Sequence, residues 1–305
     1  MKRKEWIVAG WNLLFCFEMS FMLTGFFKGV FGVKKKVIAA VLVSAGCVMA
    51  EVAPDEVIEY KETPQGSMTL HVFNPPNHTA GDKTPGIVFF FGGGWKGGAP
   101  THFYPQSRFL ASRGMVAICA DYRTAEDGTS PQECVKDGKS AMRWVRSHAE
   151  ELGVDPDMLA AGGGSAGGHV AAATATLDGF NEEGEDLSVS CRPDALVLFN
   201  PVFDNGPDGY GYDRVSGYWK DFSPLHNLMP DVPPTLIQLG TRDQLIPVAT
   251  AEAYKARMGE LGVRCDLLLY EGQEHGFFNT AKYEETLRAA DEFLMSLDYL
   301  PERNK

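Results

Sequence analysis

No pair of cysteines stands at the spacing of a zinc site. The six cysteines, Cys16, Cys47, Cys119, Cys134, Cys191 and Cys265, are too scattered to specify a disulfide framework. Cys119 and Cys265 fall in expected strands, where they read as small buried side chains. His71, His78, His102, His148 and His226 are equally dispersed and offer no metal-ligand pattern. There is no G-x-x-x-x-G-K-S/T segment, so the usual phosphate cradle of nucleotide hydrolases is missing. Internal repeats and low-complexity linkers are also missing beyond residue 55, which reads as one domain over residues 51–305. Positive charge is scarce. Lys and Arg number 28 against 40 Asp and Glu, a net charge of -12. Beyond residue 50 the count is 21 against 38, a net of -17. Such a surface repels nucleic acid and anionic polymers. It suits neutral or cationic small substrates, or serves only to keep the chain in solution.

A clean membrane span is lacking as well. Residues 6–33 are largely apolar, but Glu18 and Lys28 interrupt them, and a span needs about 20 mostly apolar residues. Residues 34–50 have the layout of a secretory signal peptide. Lys34, Lys35 and Lys36 precede the apolar run Val37 to Val43, and small residues lead to an expected cut after Ala50. The expected arrangement is a leader over residues 1–50, a translation start near Val33, and an exported chain with no stable span once mature. Ser44-Ala45-Gly46-Cys47 resembles a lipoprotein box with Ser44 where Leu is usual, which would anchor the chain at Cys47.

Beyond Ala50, strand and helix patterns alternate. Strands are expected at 57–60, 68–73, 86–91, 115–121, 158–162, 195–199, 234–240 and 265–270. Most are short apolar runs of the kind covered on both faces of a sheet. Helices are expected at 132–148, from Gly167 onward, at 247–261 and at 281–297, with Ser130-Pro131 as a helix start. This predicts an α/β fold with a mainly parallel eight-stranded sheet, helices on both faces and a small cap. Reacting groups in such sheets gather at the carboxyl ends of strands.

Four such ends carry chemistry. Gly163-Gly164-Ser165-Ala166-Gly167 matches G-x-S-x-G, follows an apolar strand and opens a helix. That strand–turn–helix context exposes a serine hydroxyl and surrounds it with backbone N–H groups. Phe91-Gly92-Gly93-Gly94-Trp95 ends an earlier strand. Consecutive glycines there present N–H donors suited to an oxyanion, assigned to Gly93 and Gly94 together with Ala166. Asp243 follows a strand end in Gly240-Thr241-Arg242-Asp243, and His275 follows the last strand. The order Ser165, Asp243, His275 is the chain order of α/β-hydrolase triads. Asp221, Asp231, Glu271 and Glu274 are weaker candidates for the acid, because none follows a strand as Asp243 does. His169 lies one helical turn beyond Ser165 and is expected to pack or bond locally.

On these motifs the chain resembles the hormone-sensitive-lipase-like and bacterial feruloyl-esterase-like branch of the α/β-hydrolases, from about Val57 to Leu297. Ala120-Asp121-Tyr122-Arg123, Gly153-Val154-Asp155-Pro156 and His275-Gly276-Phe277 carry further parts of the likeness. The resemblance implies hydrolysis of short-chain or carbohydrate-linked esters, acetyl or feruloyl, with no cofactor and no metal. It departs at Phe91, where the family's glycine loop usually begins with His. With Phe91 there, the loop is expected to be held by packing. Trp95, Tyr218 and Trp219 are candidates to contact substrate, together with Tyr210 and Tyr212. Alternatively, the cap aromatics only cover the sheet edge. No large apolar lid is evident, which argues against long-chain lipase action. Two other readings share the fold. A prolyl-oligopeptidase-type peptidase normally carries a propeller, for which residues 51–85 leave no room. A non-catalytic binding protein usually lacks a triad member, and none is missing here.

Overall fold

The computed structural model describes residues 52–303. The expected leader, its cleavage point, Cys16 and Cys47 lie outside the described residues.

The chain enters on a hairpin of β1 (Glu56–Thr63) and β2 (Gly66–Phe73). It continues through β3 (Thr84–Phe90), α1 (Tyr104–Arg113), β4 (Val116–Ala120) and α2 (Pro131–Ser147). Next come β5 (Val154–Gly164), α3 (Ala166–Thr176) and β6 (Ala195–Phe199). Two one-turn helices, α4 (Tyr212–Val215) and α5 (Trp219–Phe222), form the cap segment. The chain closes with β7 (Thr235–Gly240), α6 (Val248–Glu260), β8 (Cys265–Tyr270) and α7 (Tyr283–Met295).

The eight strands make one sheet in the order β1-β2-β4-β3-β5-β6-β7-β8. Only β1–β2 and β2–β4 pair antiparallel; the rest of the sheet is parallel. Every residue of β4 and β6 is buried, as expected for strands covered on both faces. One face packs on α2, α3 and α6, burying Val135, Val170 and Tyr254 among others. The other packs on α1 and α7 through Leu110, Phe293 and Leu294. Ser130 and Glu133 cap α2 reciprocally, the Ser130 N–H donating to Glu133 Oε2 at 3.1 Å.

The expected strands are all present, with ends moved by a few residues. The expectation omitted α1. Its core-facing positions are Gln106, Ser107, Leu110 and Ala111, so half of that face is polar. Ser107 Oγ meets Cys119 Sγ at 3.1 Å, and Gln106 Nε2 donates to Asn279 Oδ1 at 2.5 Å. Helical spacing is there, but hydrophobicity does not mark it. Among the described residues the cysteines are free, and no helix is long and apolar enough to cross a membrane.

The topology itself locates a crevice. From β3 the chain crosses to β4 on one side, and from β5 it crosses to β6 on the other. The carboxyl ends of β3 and β5 therefore flank a switch point, where open α/β sheets bind ligands. Phe90 at the end of β3 pairs with Gly163 near the end of β5. The glycine loop and Ser165 are thus neighbours by register.

Candidate active site

Ser165 sits at the turn between β5 and α3 with φ 54° and ψ -121°. That is a sparsely populated conformation for a residue with a side chain, and such strain costs about 1–3 kcal/mol. Its neighbours hold it there. The Ser165 N–H donates to Phe199 O at 3.0 Å, and Ser165 O accepts from His169 N and Val202 N. The turn is so tight that a Cβ on Gly163 would lie 2.5 Å from the Gly167 carbonyl carbon and oxygen. The two outer glycines of G-x-S-x-G face each other, which is the physical reason for both.

Ser165, Asp243 and His275 come together. Ser165 Oγ lies 2.9 Å from His275 Nε2, and His275 Nδ1 lies 2.7 Å from Asp243 Oδ2. An ionised carboxylate only accepts, so Nδ1 carries the proton and Nε2 is free to accept from the serine hydroxyl. The Asp243 side chain is fully buried, and that of His275 is 22% exposed. Asp243 Oδ1 accepts from the Leu245 and Ile246 N–H groups at 2.8 and 2.9 Å. The one carboxylate therefore orients the imidazole and caps the turn after β7.

Gly93 and Gly94 line the cleft beside Ser165. Gly93 has φ 139°, and a Cβ there would lie 1.9 Å from Gly97 O, so only glycine fits. Ala166 is the first residue of α3, where N–H groups have no partner within the helix. The cleft holds about 640 Å³. Besides these glycines, His102, Asn200, Tyr210, Leu245, His275 and Phe278 bound it.

Three expected contacts are not in this cleft. Trp95 is almost wholly buried, with its ring 5.0 Å from His169, 5.6 Å from Tyr210 and 5.9 Å from Phe222. Tyr218 packs on Phe180 and Phe222, and Trp219 packs edge-on against His226. None of the three lines the space around Ser165. Trp95 belongs to the main core, and Tyr218 and Trp219 pack half-buried against it. Tyr210 is the cap aromatic that reaches the cleft. Arg214 ties the cap to the glycine loop, donating to Gly94 O and lying 4.9 Å over the Trp95 ring.

The glycine loop is held by more than packing. Phe91 does stack on Tyr122, with centroids 4.0 Å apart. In addition, Tyr122 Oη donates to Phe91 O at 2.5 Å, and the Gly92 N–H donates to His102 Nδ1 at 2.9 Å. By sequence alone His102 is one of several scattered histidines. Its burial pushes the ring below the usual imidazole range, so Nδ1 stays an acceptor. His169, fully buried with Nε2 at 3.0 Å from Phe222 O, is pushed down to about 3 by desolvation; its partners Phe222 and Trp95 lie far along the chain, where local packing was expected.

Sequence reasoning also missed Asn200. It follows β6 with φ 35°, accepts from the Gly276 N–H at 3.1 Å and places Nδ2 3.4 Å from His275 Nε2. The available signal was its place at a strand's carboxyl end, directly after Phe199.

A strained serine between strand and helix, faced by a glycine loop and served by an acid and a histidine from the last two strand ends, is the arrangement of an α/β-hydrolase. Comparisons with known proteins agree. Residues 70–197 match the BD-FAE family, and residues 196–297 match the prolyl oligopeptidase family. The solved structure of esterase 2 from Thermogutta terrifontis, phosphoramylated by tabun, is 40% identical with a TM-score of 0.79. That match covers 83% of this chain and 98% of that one. The esterase LipC of Mycobacterium tuberculosis is 29% identical over 63% of this chain and 53% of its own length. A probable isoprenylcysteine alpha-carbonyl methylesterase of Arabidopsis thaliana is 29% identical over 72% of this chain and 50% of its own. The chain thus spans about half the length of the curated relatives it matches. It belongs to the α/β-hydrolase carboxylesterases of the hormone-sensitive-lipase-like type.

Proposed function

We propose that this protein hydrolyses short-chain or carbohydrate-linked esters through an acyl-enzyme on Ser165. The observation that carries the reading is the continuous hydrogen-bond line from Ser165 through His275 to Asp243, opening into the glycine-walled cleft. Ser165 Oγ attacks the ester carbonyl while His275 Nε2 takes its proton. Asp243 holds the tautomer and stabilises the charged ring. The Gly93, Gly94 and Ala166 N–H groups meet the oxyanion, and losing one such donor typically costs about 100- to 1000-fold in rate. The tetrahedral species collapses, the ester C–O bond breaks and His275 returns the proton to the departing alcohol. Water, activated by the same histidine, then releases the acid and restores Ser165.

Small acyl groups are favoured by the short cap segment, which among the described residues has just the one-turn helices α4 and α5. Structures of the Thermogutta terrifontis esterase with propionate and with butyrate bound support the same choice. The prolyl oligopeptidase match over residues 196–297 is the observation that favours a second reading, a serine peptidase. One assay separates the readings, including that of a non-catalytic binder. Nitrophenyl acetate, butyrate and octanoate are compared with a peptide anilide, using wild type and Ser165→Ala. The short esters should be cleaved faster than the octanoate, the anilide left intact, and turnover lowered about a million-fold in the variant. A variant as active as wild type would overturn the assignment of Ser165, and cleavage of the anilide alone would favour the peptidase. Acetylated xylan set against feruloylated sugars would then name the natural acyl group. Export, by cleavage after Ala50 or alternatively with a lipid anchor at Cys47, is proposed from residues 34–50; N-terminal sequencing of the native protein tests it.

A further inference from the structure

We infer that His102, from outside the glycine loop, is the positioning residue that aims the oxyanion donors, in the place of the histidine the loop itself does not have at Phe91. The inference rests on the esterase reading above. The Phe91–Gly92 peptide immediately precedes the Gly92–Gly93 peptide, which carries the Gly93 N–H. Both polar atoms of the Phe91–Gly92 peptide are held. The carbonyl oxygen accepts from Tyr122 Oη at 2.5 Å, and the N–H donates to His102 Nδ1 at 2.9 Å. In a trans peptide these two groups point in opposite directions. Two side chains bonded to them from opposite sides therefore stop the plane from turning about the chain.

That restraint matters because the next two residues cannot supply it. Gly93 and Gly94 have φ 139° and 64° and carry no side chain to pack, and glycine moves freely between such conformations. If the preceding plane turned, their N–H groups would swing away from the serine. His102 is itself fixed. Its ring meets Phe103 at 5.0 Å and Phe278 at 5.6 Å, and its carbonyl oxygen accepts from Asn279 Nδ2 at 3.3 Å. It also stands beside the reacting centre. A Cβ on Gly92 would lie 3.2 Å from His102 Cε1 and 3.5 Å from Ser165 Cβ. Because Nδ1 accepts from Gly92, the ring is neutral with its proton on Nε2.

His102→Phe and His102→Asn separate this role from packing. Phe keeps a ring against Phe103 and Phe278 but has no acceptor. Asn gives up the ring and puts its amide oxygen at the position of Nδ1. With nitrophenyl butyrate, kcat of H102F should fall about 10- to 100-fold while KM changes by less than about threefold. H102N should recover most of kcat. A wild-type kcat in H102F, or an H102N that folds yet is as slow as H102F, would overturn the inference. A second readout needs no turnover: the Gly92 amide, followed by NMR with labelled glycine, should exchange faster in H102F and slow again in H102N. An unchanged Gly92 amide in H102F also overturns it. If wild type cleaves no ester, or Ser165→Ala is as active as wild type, it is the esterase reading that fails, and the Gly92 exchange still decides whether His102 holds the peptide.

Discussion

Replacing Gly167 by Ala adds one carbon to the first turn of α3. That carbon would lie 2.1 Å from Phe90 O and 2.2 Å from Phe91 O. Real contacts of this kind essentially never fall below 3.0 Å, so something must give by 0.9 Å or more. Neither oxygen can yield cheaply. Phe90 ends β3 and is paired on both sides, to Ala120 and Gly163, and Phe91 O accepts from Tyr122. The displacement must then separate the helix carrying Ser165 and Ala166 from the loop carrying Gly93 and Gly94. Overpacking of this kind costs about 1–3 kcal/mol, and each kcal/mol lowers Tm by about 2–4 °C in a domain of this size. A shift near 1 Å in a reacting geometry costs about 100-fold in rate. Gly167→Ala should therefore lose about 100-fold in kcat toward nitrophenyl butyrate and melt several degrees lower by calorimetry. Gly259→Ala is the matched control. Gly259 lies within α6 with no atom within 4 Å of the added carbon, and should gain about 0.5–1 kcal/mol from helix propensity with kcat unchanged. A Gly167→Ala protein with wild-type kcat and Tm would refute the steric account of the elbow.

Asp243→Asn keeps the side chain's shape but offers His275 Nδ1 an amide. Turnover should fall about 10,000-fold with the melting temperature changed far less, and steady-state kinetics at saturating ester would expose a smaller loss. His169 gives stability a pH dependence of its own. Its folded value is about 3, against about 6.5 in the unfolded chain. Below pH 6.5 the unfolded chain takes up a proton that the folded one refuses. Stability is therefore lost as pH falls, by about 1.4 kcal/mol per unit down to about pH 3. Urea midpoints at pH 7.5 and 5.5 should show this loss in wild type and a shallower slope in His169→Gln; equal slopes would contradict it.

The features legible in the sequence were those written in short runs. Apolar strands such as Val116–Ala120 and Ala195–Phe199 announce themselves, because burial on both faces leaves no polar position. Ser165, Asp243 and His275 could be named because each follows such a strand, and the fold then brings them within hydrogen-bond reach. The helix over Tyr104–Arg113 was hidden by Gln106 and Ser107, polar residues on its core face whose partners, Asn279 and Cys119, are known only once the chain is folded. His102 and Asn200 were hidden for the same reason. Each acts through a bond to a residue far along the chain or to a backbone atom that no motif records. Trp95, Tyr218 and Trp219 misled in the opposite way. A cluster of aromatics near a site reads as a pocket lining, whereas here most of the rings satisfy one another.

Asp243 divides its two oxygens between different duties, one toward His275 and one toward the Leu245 and Ile246 amides. Leu245 projects into the cleft and is 46% exposed, while its backbone is pinned. The Leu245 side chain can therefore be exchanged without loosening the acid behind it. For this scaffold, Leu245 is the position where diversification for new acyl groups carries the least risk to the reaction.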